Sequence, residues 1–323
     1  MIPALLSRYA PILCCPVCRG ALAWAEASVQ CSTASCGRTF PIISDVPILI
    51  REENSLFRLD DFIRGPVDPR SGHALKHRRQ PREVIKRLLP RLSWNPYASH
   101  RYQGLADELS KREGRPNMLV VGGAVLGKGM DTLVAQGNID VVETDIRFGS
   151  RTTLICDGHD LPFEDGSLDC VVIQAVLEHV VDPRRCVEEI HRVLRRDGLV
   201  YAETPFMQQV HEGAYDFTRF TLLGHRRLFR QFEQIMAGPV GGPGTVLGWS
   251  YQYFLTGFAN SRRSRGILTI LARLTGFWFK YFDIILLHRR GAQDGAWGCY
   301  FMGRKSSHTL PDRELVKLYA GIL

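Results

Sequence analysis

Between residues 118 and 203 the chain sets down a series of strand-like runs, at 118–121, 140–144, 154–156, 168–173 and 199–203. They are short and mostly continuous in apolar character, which suits strands buried on both faces of a parallel sheet. The intervening stretches fit the helices such a sheet needs. Between 183 and 194, Cys186, Val187, Ile190, Val193 and Leu194 recur at three- to four-residue spacing, and a further helix is expected over 102–112. Two later runs, 232–236 and 299–303, can add strands at one end of the sheet. The hydrophobic stretch 246–288 between them then reads as an insertion. The expectation is an α/β fold.

The first run turns through Gly122, Gly123 and Gly127. A glycine turn from strand into helix lets the backbone approach a nucleotide-type ligand closely. A phosphate loop would need Ser or Thr after its lysine to hold magnesium, and here Gly129 follows Lys128, so that reading fails. The second run ends at Asp145, about 20 residues past the turn, where a carboxylate can accept from both hydroxyls of a ribose. The third ends at Asp157, followed by Gly158 and His159, and its carboxylate suits an adenine amino group. The alternative makes Asp145 and Asp157 loop acids that cap helices. Asp169 reads as a structural acid, His179 as a helix-face histidine, and Cys156, Cys170 and Cys299 as small core residues.

Four further cysteines fall into metal spacing, Cys15-x-x-Cys18 and Cys31-x-x-x-x-Cys36, and Cys14 stands beside the set. Zinc takes four soft ligands in a tetrahedron, and pairs of cysteines on tight turns deliver them. An ion there would stabilise a module too small to fold on its own core. Residues 13–50 resemble the Trm112-like zinc ribbons that accompany methyltransferases, which implies a stabilising or docking role.

From Asp157 to Gly198 the chain follows the order D-x-x-x-LPF-x-D-x-S-x-D-x-V, then LEHV, then E-I-x-R-V-L-x-x-x-G. This resembles class I S-adenosylmethionine-dependent methyltransferases, over roughly residues 97–236. The resemblance implies a Rossmann-like domain with a mostly parallel seven-stranded sheet, plus the small N-terminal zinc ribbon. It assigns S-adenosyl-L-methionine to Gly122, Gly123, Gly127, Asp145, Asp157, Gly158, His159 and Gln174, and a structural Zn2+ to Cys15, Cys18, Cys31 and Cys36. The glycine loop is longer than the family's acidic-x-G-x-G-x-G, which leaves a non-catalytic scaffold as an alternative. The expected division is ribbon 1–50, linker and docking segment 51–95 with a short amphipathic helix at 84–89, methyltransferase domain 96–306, and tail 307–323.

Methyl transfer from a sulfonium is an in-line displacement governed by positioning and exclusion of water. A hydroxyl acceptor also needs a base. Beyond the fifth run lie Glu203, His211 and Asp216, within ETPF and DFTRFT. His211 or Asp216 is the candidate general base, or the pair orients the acceptor; alternatively DFTRFT is a structural turn with Arg219 paired to an acid. The order ETPF, His, DFTRFT resembles uncharacterised bacterial methyltransferases associated with polysaccharide or glycolipid synthesis. A small-molecule, glycan or glycolipid acceptor is therefore expected. The formal charge of +8 favours anionic partners and keeps rRNA or tRNA as an alternative acceptor.

The aromatic-rich insertion, flanked by Arg262-Arg263 and Arg289-Arg290, reads as a lid or dimer surface, with peripheral membrane contact as the alternative. Arg273, Lys280 and Asp283 argue against a spanning helix there. The N-terminus lacks a signal-peptide pattern and the cysteines suit a reducing compartment. The expected location is the cytoplasm, including the inner face of the membrane.

Overall fold

The computed structural model describes residues 2–3, 6–63, 67–68, 73–74, 89–135 and 137–322. The amphipathic helix expected at 84–89 falls, apart from Leu89, outside the described residues. The chain opens with four short strands, β1 (Leu22–Trp24), β2 (Ser28–Cys31), β3 (Thr39–Ile43) and β4 (Val46–Leu49). Two-residue strands β5 (Val67–Asp68) and β6 (His73–Ala74) pair with each other. Then follow β7 (Asn117–Val121), β8 (Asp140–Asp145), β9 (Leu154–Cys156), β10 (Leu168–Gln174), β11 (Leu194–Pro205), β12 (Phe232–Gly241) and β13 (Gly298–Lys305).

The pleat explains why the apolar runs are continuous. Successive residues of a strand face opposite sides. Leu119, Val121, Val171 and Ile173 enter one core with Cys186, Val187, Ile190 and Val193 of helix Pro183–Val193. Met118, Val120, Cys170 and Val172 enter a second core with Tyr102, Leu105 and Leu109 of helix Ala98–Ser110. The first of these helices starts where its sequence dictates: Pro183 sits in its first turn and the Asp182 side chain caps the Arg185 amide.

The sheet corrects the expected count of seven strands. Among the described residues it has eleven, in the order β1-β2-β3-β4-β9-β8-β7-β10-β11-β13-β12, and is mixed. β7 to β11 pair in parallel within it, β13 runs antiparallel to both β11 and β12, and the four N-terminal strands extend the far end. The extension exists because β4 pairs in parallel with β9, Ile48 opposite Ile155 and Leu49 opposite Cys156. β3 folds back into β4 over Ser44 and Asp45, both at positive φ (52° and 62°), the geometry of a tight hairpin turn.

Among the described residues the N-terminal segment also has no separate core. Leu6, Tyr9, Leu13, Val29 and Phe40 share one apolar cluster with Leu119, Val171 and Ile190. Backbone bonds stitch the join, from the Cys14 amide to the Pro162 carbonyl (3.0 Å) and from the Glu164 amide to the Ile12 carbonyl (2.9 Å).

The insertion forms helices Pro243–Gly257 and Arg262–Gly276, followed by a 3-10 helix over Phe277–Phe282 and a one-turn α-helix, Asp283–Leu286. Among the described residues no helix is long and apolar enough to cross a membrane.

One buried titratable group in this frame has a direct consequence. Helix Leu222–Leu228 buries His225 against Phe229 and near Phe220, with ring centroids 5.0 and 6.3 Å away. Burial alone pushes its pKa down to about 3 from 6.5. The unfolded chain therefore takes up this proton first, and the contribution to stability is full above the ordinary histidine pKa and lost as pH falls toward 3. At pH 5 the loss is about 2 kcal/mol. Urea denaturation at pH 7 and pH 5 should show the His225→Leu variant losing less stability between the two pH values than the wild type, by about that amount. Equal losses would refute the assignment.

Candidate active site

At the C-terminal ends of β7 to β10 the backbone turns away around a cleft. Gly122, Asp145, Asp157, Gly158 and His159 line it; Gly123, Gly127 and Gln174 do not. Gly122 leaves β7 at φ 80°, and its amide and that of Gly123 both donate to the Thr144 carbonyl at 2.8 Å. A Cβ on Gly122 would lie 2.3 Å from Val176 Cγ2, so the close approach requires glycine.

Asp145 is buried at the end of β8. Its Oδ2 accepts from the Ala124 amide (3.1 Å) and its Oδ1 from the Arg147 amide (3.0 Å). Burial raises its pKa against the pull of the Arg147 guanidinium and these amides. Each oxygen keeps a lone pair for a further donor. Asp157 is differently placed. The Ser55 hydroxyl (2.5 Å), the His159 amide (3.0 Å) and His159 Nδ1 (2.5 Å) converge on it, and together they outweigh burial and lower its pKa. His159 Nε2 in turn accepts from the Asp182 amide at 3.1 Å. Both ring nitrogens are thus used inside the protein, and what Gly158 and His159 offer the cleft is mainly backbone.

Gln174 and Glu203 belong to a second, buried network. Glu203 accepts from Gln174 Nε2 (2.7 Å) and the Tyr201 hydroxyl (2.5 Å), and Arg101 Nε lies 3.5 Å away. The Tyr102 hydroxyl donates to Gln174 Oε1 at 2.9 Å. The glycine loop packs on this flank. A Cβ on Gly127 would stand 1.6 Å from Gln174 Oε1, and one on Gly129 2.7 Å from the Ala98 carbonyl carbon.

The third cluster lies beyond β10. Ala175 exits the strand at φ 54°, and the chain curls so that Phe217 and Thr218 donate their amides to the Glu178 carbonyl. His179, read from sequence as a helix-face residue, lies in this turn instead, because helix Pro183–Val193 starts later. His179 Nε2 and His211 Nε2 lie 3.6 and 3.9 Å from Glu178 Oε1. Glu178 is 1% exposed, and burial, the largest effect on it, pushes its pKa up to about 8. Asp216 accepts from the His211 amide (2.9 Å) and pairs with Arg219 through both oxygens. Against burial, the Arg219 guanidinium and that amide hold Asp216 well below the usual carboxylate range.

The structure therefore brings His211 and Asp216 together and leaves Glu203 in a separate network. Sequence reading missed Ser55, Leu56 and Phe57. Leu56 and Phe57 line the cleft, and Phe57 stacks on Tyr215 (5.9 Å between centroids, 17° between planes). No local pattern marks these three residues. The adjacent Glu178 and His179 of LEHV were in view, and only the turn shows that they face His211.

At the N-terminus, Cys15, Cys18, Cys31 and Cys36 place their sulfurs within 4.8 Å of one another, as a metal site requires. Gly20 allows this: a Cβ there would be 2.0 Å from Thr33 Oγ1 and 3.3 Å from Cys18 Sγ. Cys14 is buried outside the cluster.

Residues 126–202 match the family described as methyltransferase domain. A probable S-adenosylmethionine-dependent methyltransferase of Mycobacterium tuberculosis is 32% identical over 128 residues, 37% of this chain and 47% of that protein. A demethylmenaquinone methyltransferase of Clavibacter sepedonicus is 36% identical over 86 residues, 25% of this chain and 35% of that one. Among solved structures, a Haemonchus contortus phosphoethanolamine N-methyltransferase with S-adenosyl-L-methionine is similar at a TM-score of 0.41 and 16% identity, covering 64% of this chain and 53% of that one. The chain spans less than half the length of the curated relatives it matches. The family match and these curated relatives make part of the chain similar to methyltransferases, and they leave any acceptor undetermined.

Gly129 tests the packing of the loop. Its φ of 89° and the contact with Ala98 both oppose a side chain, whereas Gly137, at φ 65°, has nothing within 4 Å. Both alanine variants bear the cost of a left-handed backbone, about 1–2 kcal/mol. In chemical denaturation Gly129→Ala should lose clearly more than Gly137→Ala. Equal losses would mean that the loop does not press on the Ala98 helix.

Proposed function

We propose that this chain transfers a methyl group from S-adenosyl-L-methionine to a small-molecule, glycan or glycolipid acceptor, and that its four N-terminal cysteines hold a structural zinc ion. The observation that carries the reading is the strand-end cleft, with the glycine turn on one side and the buried Asp145 on the other. In this reading Asp145 accepts from the ribose hydroxyls and the backbone of Gly122 meets the cofactor closely. Leu56, Phe57 and Val176 flank the cleft and keep water from the reacting groups. Asp157 and His159 act by shaping the backbone at 157–159. Gly123, Gly127 and Gln174 act by packing beneath the loop, and Glu203 positions Gln174.

The cofactor supplies an electrophilic methyl carbon on its sulfonium. An acceptor's nucleophile would attack that carbon in line, the carbon–sulfur electron pair would leave with the sulfide, and the acceptor's proton would pass to water at the partly exposed edge beside His211. The flank of Glu178, His179 and His211 is where that acceptor is met. Asp216, fixed by Arg219, orients His211 through its amide.

A lipid-linked acceptor is favoured by one further observation. The insertion presents a broad apolar surface, with Phe254 64%, Phe258 69% and Ile267 67% exposed, beside Arg262 and Arg263. An amphipathic surface of this kind suits the interface of an anionic bilayer.

Calorimetric titration of S-adenosylmethionine and S-adenosylhomocysteine into the wild type should show low-micromolar binding, about −8 kcal/mol, and binding should be at least tenfold weaker in Asp145→Ala. Absence of binding to folded wild-type protein would overturn the reading. The shared core makes a second expectation: removing zinc with a strong chelator should lower the single unfolding transition of the whole chain. A separate early transition confined to the N-terminus would contradict it. In flotation, anionic vesicles should carry the protein and Phe254→Ser/Phe258→Ser should reduce this; no flotation of the wild type removes the membrane contact.

A further inference from the structure

We infer that Glu178, His179 and His211 form a binding site for a divalent transition-metal ion, distinct from the cysteine cluster and opening toward the cofactor cleft. One ligand atom from each residue falls within a common 4.8 Å span. Glu178 Oε1 is 3.6 Å from His179 Nε2 and 3.9 Å from His211 Nε2. Ligands bonded at about 2.0–2.2 Å to one tetrahedral ion stand roughly 3.4 Å apart, so the two Glu178 pairs need close by only tenths of an ångström, and the three atoms as a set start within 4.8 Å.

Two independent observations say that this is more than proximity. First, neither carboxylate oxygen of Glu178 has a hydrogen-bond partner among the described residues, although the side chain is almost wholly buried. A buried, unpaired acid is costly, and a cation between it and the imidazoles supplies the missing partner. Second, both histidines are held by their other nitrogen. His179 Nδ1 is 2.7 Å from the Tyr215 carbonyl, and His211 Nδ1 is 3.4 Å from both Asp216 Oδ2 and the Gln209 carbonyl. An Nδ1–H engaged in this way leaves the Nε2 lone pair facing Glu178, as metal-ligating histidines are usually arranged.

The donor set selects the ion. Two imidazoles and one carboxylate suit zinc, iron or nickel better than magnesium or calcium, which favour oxygen ligands. Three protein ligands leave coordination positions free, and His179 also lines the cofactor cleft. Within the methyltransferase reading, on which this use rests, an acceptor oxygen takes a free position. The ion would lower its pKa, so that its proton passes to solvent water; the oxygen's lone pair would then bond the methyl carbon as the carbon–sulfur pair leaves with the neutral sulfide. His211 is then a ligand, and Asp216 a positioning residue that acts through it.

The experiment uses full-length protein loaded with Zn2+, desalted, and assayed for zinc per chain by mass spectrometry. Wild type should hold one ion more than Glu178→Gln and one more than His211→Asn, with circular dichroism unchanged. His211, at the partly exposed edge, serves if the Glu178 variant fails to fold. Equal zinc content in wild type and a folded variant overturns the site. S-adenosylhomocysteine titration of the same samples separates the two ideas. Zinc difference with no cofactor binding keeps the site and overturns the methyltransferase reading; cofactor binding with equal zinc does the reverse.

Discussion

The parallel pairing of Val46–Leu49 with Leu154–Cys156 sets the geometry on which much of the cleft depends. Two strands that run the same way and stop together deliver their next residues to the same edge of the sheet. Residues 50–57 therefore cross the strand ends beside residues 157–160. There Asn54 bonds Asp160 and Ser55 bonds Asp157, and Leu56 and Phe57 come to rest over the cleft. An N-terminal segment that could have been a detached appendage is built into the wall of the site.

The acids around the cleft illustrate how environment divides a set of like residues among unlike tasks. Asp157 and Asp216 are each saturated by nearby donors and stay ionised despite burial. Asp145 has amide support but enough burial to raise its pKa, a carboxylate that still gains from a ligand's hydroxyl groups. Glu203 is held between Gln174, Tyr201 and Arg101. Glu178 stands apart: buried as deeply as these and offered two imidazoles without a hydrogen bond. A buried acid in that condition is under electrostatic tension that a cation or a proton relieves.

What could be read from the sequence was whatever depends on neighbours along the chain. The continuous runs at 118–121 and 168–173 marked strands with two covered faces, and Leu119 and Met118 do enter opposite cores. Asp145 directly follows the run at 140–144 and is the last residue of its strand, and the paired cysteine spacings located the sulfur cluster. What could not be read depends on distant partners or on one dihedral angle. Nothing near Ile48 says that it will face Ile155, so the sheet was expected to be smaller than it is. The turn that carries Glu178 and His179 hinges on Ala175 in a conformation few non-glycine residues adopt, and the helix-like spacing around LEHV concealed it.

The same β4–β9 ladder has a consequence for the chain's behaviour in a crowded solution. Without it, β9 would be an edge: three residues, all buried here, with an open row of amides and carbonyls that another copy could pair with. As built, the sheet ends instead at three-residue β1 on one side. On the other it ends at β12, which is interrupted by two register shifts and carries Pro239. Short or irregular margins of this sort are poor templates for strand addition. The N-terminal strands thus act as a guard against aggregation, whatever else the cysteine cluster beside them does.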